Sequence, residues 1–93
     1  MNAQVLTSSL SRQLGMPEDE LIRKSLLAFI EKEIWLAESQ IADIRERYNV
    51  LSEAELSQAI REGTVAPHPA WEDYIVWKNK SSHIRYLNHI SVR

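Results

Sequence analysis

Apolar positions recur along this chain at helical spacing, and helix-breaking residues interrupt them at only three places. These are Gly15-Met16-Pro17, Gly63 and Pro67-His68-Pro69. The breaks divide the chain into four predicted helices, at 7–14, 17–49, 52–62 and 69–90. The first short helix has Thr7, Ser8 or Ser9 as its N-cap. Gly15 suits its stop, and Pro17 suits the first turn of the next helix. Glu18, Asp19 and Glu20 then favour that helix's N-terminus electrostatically. The second helix runs for some thirty residues without Gly or internal Pro, well beyond the mean length of about 11–12 residues. Ser52-Glu53-Ala54-Glu55 reads as a capping box, with Ser52 as cap and Glu55 reaching back.

The long helix carries a seam. Leu27, Ile30, Ile34, Ala37, Ile41, Ile44, Tyr48 and Leu51 are separated by alternating steps of three and four, the a/d stripe of a coiled coil. Glu31, Glu33, Glu38, Gln40, Arg45 and Arg47 flank it, acids first and bases second. An antiparallel pair of copies centred on Ser39 matches Leu27 with Leu51, Ile30 with Tyr48, Ile34 with Ile44 and Ala37 with Ile41. It also brings Glu31 near Arg45 and Glu33 near Arg47 of the partner. Such exposed ion pairs contribute at most about 1 kcal/mol each, so they select orientation more than they stabilise. The alternative occupant of the seam is the chain's own fourth helix, in a helical hairpin. Leu21, Ile22, Leu26, Phe29 and Leu36 form a second apolar stripe. A helix apolar on two sides is buried on two sides, which favours an oligomer for so short a chain.

With 93 residues, 44% of them hydrophobic and 26% charged, the chain fits one small helical domain, 1–93, rather than a disordered segment. Two Gly and three Pro are too few for the turns of an all-β fold. There is no Cys, which removes disulfides, thiolate chemistry and Cys-ligated zinc. The start of the chain has no basic segment followed by an apolar one, and no apolar run spans a membrane, so the expected compartment is the cytoplasm. In that compartment Asn79-Lys80-Ser81 is a chance match to the glycosylation pattern. A net charge of −2 argues against bulk affinity for nucleic acid. Bases without acids over 78–93 read as a solvated helix end complementing its own dipole, with a phosphate-binding tail as the alternative.

Little points to catalysis. His68, His83 and His89 show no metal-ligand spacing, and no strained nucleophile turn or phosphate-cradling glycine loop is present. Glu72 and Asp73 are adjacent, so on a helix they diverge by about 100° and share no site. The expectation is a protein that is not an enzyme and takes no cofactor or metal. Trp71, Tyr74 and Trp77 are the more informative group. They are either core or a partner-binding patch, since Trp and Tyr dominate interface hot spots.

The stretch Leu10-Ser11-Arg12-Gln13-Leu14-Gly15-Met16-Pro17-Glu18-Asp19-Glu20-Leu21-Ile22-Arg23-Lys24-Ser25-Leu26 resembles the helix-turn-helix half of ribbon-helix-helix proteins. These are small dimeric DNA-binding proteins, many of them antitoxins. The resemblance implies Gly15 as the turn and Leu21, Ile22, Leu26 and Phe29 as dimer core. It implies a phosphate held by backbone amides of Met16 to Glu18. It also implies a base-reading strand at Asn2 to Leu6, with Gln4 facing a base. The segment His68-Pro69-Ala70-Trp71-Glu72-Asp73-Tyr74 resembles a toxin-wrapping arm in its layout.

The expectation is therefore an all-α homodimer built on one long central helix, antitoxin-like, binding a toxin or other partner protein and DNA weakly. A structural dimerisation or adaptor module and a helix-turn-helix transcriptional regulator are the alternatives.

Overall fold

A computed structural model describes residues 2–91. It is all-α. The helices are α1 (Ala3–Leu14), α2 (Glu18–Tyr48), α3 (Glu53–Glu62) and α4 (Pro67–Ser91). No strand occurs among the described residues.

Helix α1 starts four residues earlier than its serines and threonine suggest. Asn2, as good a cap as Ser or Thr, accepts the Val5 N–H on its side-chain oxygen at 2.8 Å. Nothing from Ala3 to Leu6 breaks a helix, so the strand expected at Asn2 to Leu6 is the first turn of α1. Thr7, Ser8 and Ser9 are consequently mid-helix and cap nothing. The Thr7 hydroxyl donates back to the Ala3 carbonyl at 2.7 Å, the i−4 bond typical of hydroxyls inside helices.

Three helices end the same way, in a left-handed residue that lets the following amides reach back to the last carbonyls. Gly15 (φ 65°) ends α1 and Gly63 (φ 75°) ends α3. Asn49 (φ 54°) does the same for α2, with its own N–H on the Glu46 carbonyl and the Val50 N–H on that of Arg45. Asparagine tolerates this conformation better than other residues with a Cβ. The capping box forms with a shift of one residue. Ser52 accepts the Glu55 N–H at 3.1 Å, while the Glu55 carboxylate accepts from Leu51, not Ser52, at 2.7 Å. At the start of α4, His68 has extended backbone angles, as the residue before a proline prefers, and the regular helix resumes at Pro69.

The chain, expected as one domain, divides into two compact units, the first running to Lys32 and the second starting at Glu33. Unit 1 holds α1 and the first half of α2. Unit 2 holds the second half of α2 with α3 and α4, and it contains the core. Ile41, Ile44, Val50, Leu56, Ala70 and Trp77 form that core, with Tyr48, Ile60, Val65, Tyr74 and Ile84 packed against it. Within unit 2, α3 and α4 pack on the second half of α2.

The expected antiparallel seam between copies is corrected accordingly. Ala37, Ile41 and Ile44 are buried within the chain, Ile41 and Ile44 in one cluster with Trp77 of α4. This is the hairpin alternative. Residues buried there cannot pair as Ala37 with Ile41 or Ile34 with Ile44 of another copy. Leu27, Ile30, Ile34 and Tyr48 are half-buried, and Leu51 at the seam's end is exposed.

Candidate functional site

Unit 1 carries apolar surface that no core of its own absorbs. None of its described residues is buried. Val5, Leu6, Leu10 and Leu14 of α1 are exposed, as are Ile22, Leu26 and Phe29 of α2. Leu26 and Phe29 keep 58% and 59% of their surface open, values foreign to core positions. Leu21 is half-buried. Between the two helices lies a shallow groove of about 230 Å³, walled by Leu6, Leu10, Leu21, Ile22 and Leu26 and lined also by Ala3, Thr7 and Ser25. None of these residues is charged.

The turn that joins the helices is closed on itself. The Met16 N–H donates to the Ser11 carbonyl at 3.1 Å, and the Ser11 hydroxyl donates to the Met16 carbonyl. The Ser8 hydroxyl donates to the Glu18 carboxylate at 2.5 Å. The phosphate anchor expected at Met16 and Glu18 is therefore corrected. The Met16 amide is already bonded to Ser11, Pro17 has no N–H, and the Glu18 side chain adds a negative charge to the turn. With residues 3–6 helical as well, neither base-reading nor phosphate-holding geometry of the implied kind is formed here.

In unit 2 the aromatic group splits. Trp77 is 3% exposed and lies in the core, with the Arg45 guanidinium 5.4 Å above its ring. Its assignment to partner binding is corrected: α4 turns that face toward α2. Trp71 is 49% exposed and stacks on Tyr74, ring centroids 5.4 Å apart. Tyr74 is half-buried, with the Lys78 ammonium 5.6 Å from its ring.

The bases expected to meet acids of a partner copy find partners within the chain. Arg45 covers Trp77, and Arg47 donates to the Asp73 carboxylate at 2.7 Å. The Tyr48 hydroxyl donates to the same carboxylate oxygen. Burial raises the Tyr48 phenol above its ordinary value of 10.0, and Asp73 pushes it further the same way. The hydrogen bond and charge of Asp73 raise the Arg47 guanidinium likewise. Asp73 thus ties the end of α2 to α4 across a sequence separation that no local pattern reports. Its neighbour Glu72 turns away and meets His68 Nδ1 at 2.8 Å, so the two acids serve different partners. Among the described residues no three acidic, His or Cys side chains converge as a metal site would require. No helix among the described residues is long and apolar enough to cross a membrane.

Compared with known proteins, residues 1–90 match the family described as Uncharacterized protein MJ0235 family, and the chain belongs to that family. No curated protein and no solved structure matches it.

Proposed function

We propose that this member of the MJ0235 family is a small helical protein-binding module, not a catalyst, with unit 1 as its docking element and unit 2 as its self-sufficient folded body. One observation carries the reading. Both units expose large apolar side chains, but unit 2 has a core, whereas unit 1 has no buried residue among its described ones to go with its seven. A hairpin of about thirty residues without a core is far below the size at which a chain holds itself together. Its apolar face therefore needs a protein surface to cover it.

The test is a thermal melt of the chain carrying Leu26→Glu and Phe29→Glu. Charges at positions this exposed should shift the cooperative melt of unit 2 by no more than about 0.5 kcal/mol, since nothing folded is disturbed. A collapse of the melt would mean that unit 1 is an integral part of the folded body, and the docking reading would fail.

An antitoxin-like role, in which the partner is a toxin, is the second reading. It is supported by Trp71, exposed and stacked on Tyr74 beside the Arg47–Asp73 pair. A rigid aromatic pair with a polar rim suits an interface anchor. In that reading the anchor is Trp71 with Tyr74.

A further inference from the structure

We infer that the occupant of the unit 1 groove is a second copy of this chain, placed by a two-fold axis so that the two α1–α2 hairpins close a four-helix arrangement. The inference rests on the reading of unit 1 as a docking element and names what docks there.

Three properties of the groove select a second copy over other occupants. The first is charge. Its lining, Leu6, Leu10, Leu21, Ile22 and Leu26 with Ala3, Thr7 and Ser25, is neutral throughout. Around a two-fold axis each patch meets itself, so a charged lining would set like charges against each other. A neutral lining meets itself without repulsion, and it offers nothing to an acidic or a basic partner. The second is shape. Ala3, Thr7 and Ser25 are small, so a facing helix can approach closely, while the leucines project as knobs. Each hairpin thus presents both the ridges and the gaps that an identical hairpin needs.

The third is area. Leu6, Leu10, Ile22 and Leu26 of the lining, together with Val5, Leu14 and Phe29 outside it, offer on the order of 600 Å² per copy, and two copies that bury all seven reach roughly the 1,200 Å² floor of stable interfaces. Partial coverage by a short peptide would leave much of that surface in water. A membrane surface fits less well. Interfacial helices carry Lys and Arg on their polar face, whereas in unit 1 the bases Arg12, Arg23, Lys24 and Lys32 are matched by the acids Glu18, Asp19, Glu20 and Glu31. Burial of Ile22, Leu26 and Phe29 between the copies also gives the second apolar stripe of α2 a cover, which α3 and α4 do not provide.

Light scattering on the full chain tests the inference, with the wild type and a Leu10→Glu, Leu26→Glu variant measured at micromolar concentration. Expected are twice the chain mass of 10.8 kDa for the wild type and the single-chain mass for the variant, with the melt of unit 2 retained. A wild type at single-chain mass overturns the inference, as does a variant that stays at twice that mass, because the interface would then lie elsewhere. The Leu26→Glu, Phe29→Glu melt separates this failure from that of the wider reading. A monomer whose unit 2 melt is insensitive to those charges rejects only the second copy as occupant. A monomer whose melt collapses rejects the docking element as well.

Discussion

Replacing Trp77 with alanine is expected to destabilise unit 2 by about 3–5 kcal/mol, the usual cost of removing a buried aromatic side chain. The ring is 3% exposed and belongs to the cluster that includes Ile41, Ile44 and Leu56. Its removal takes away the largest member of that cluster and leaves a void that short helices fill poorly. It also leaves the Arg45 guanidinium without the ring beneath it. For a unit of this size the melting temperature should fall by more than about 10 °C. Trp71→Ala should behave differently. Half of that ring is already in water, and its stacking on Tyr74 contributes about 1 kcal/mol. Circular dichroism melts of the two variants decide the matter. Equal shifts would mean that the two tryptophans do not divide into core and surface as described.

Ile44→Asp should be more damaging still. Ile44 is 3% exposed among apolar side chains, and Arg47, the base lining the pocket beside it, is already held by Asp73. An unpaired charge placed there costs more than about 4 kcal/mol. That is comparable with the whole stability of a small unit, so the helical signal of unit 2 should be largely lost. The outcome separates the two uses of the seam. If Ile44 served only an interface between copies, the same substitution would give a monomer of unchanged helicity. A folded monomer would therefore contradict the intrachain core.

Much of this fold is legible in the sequence because its punctuation is local. Gly15, Gly63, Pro67 and Pro69 mark helix ends through their own backbone preferences, and Ser52 with Glu55 marks a start. The a/d spacing from Leu27 to Tyr48 correctly reports an apolar stripe. What it cannot report is the occupant of the facing groove, since a partner's helix and the chain's own α4 present the same periodicity. For that reason the spacing assigns Arg45 and Arg47 to a partner copy, whereas both are satisfied within the chain, and of the two readings of Trp77 the core is the one that holds. The sequence shows Asp73 only as the neighbour of Glu72, because its partners Tyr48 and Arg47 lie 25 and 26 residues away, beyond any helical repeat.

The start of α1 misled for another reason. A cap is recognised by side-chain chemistry, and four residues near the N-terminus have it. Only the backbone selects Asn2 over Thr7, Ser8 and Ser9. Thr7, Ser8 and Ser11 instead bond within the hairpin, to Ala3, Glu18 and Met16 respectively. The apolar residues of unit 1 are a separate case. Ile22, Leu26 and Phe29 form an apolar stripe in the sequence, and in the single chain they have no core to join. Local pattern identifies residues that need burial, and it does not say within which molecule the burial occurs.

That difference between the units is open to direct measurement. Amide hydrogen exchange of the full chain, recorded at two well-separated protein concentrations, reads the opening free energy of each segment. Residues 41–87 hold the core and should exchange slowly, at rates independent of concentration. Residues 3–32 should exchange fast in the dilute sample and markedly more slowly in the concentrated one, because their protection comes from another copy. Equal and concentration-independent protection of both segments would contradict the division into a folded body and a docking element.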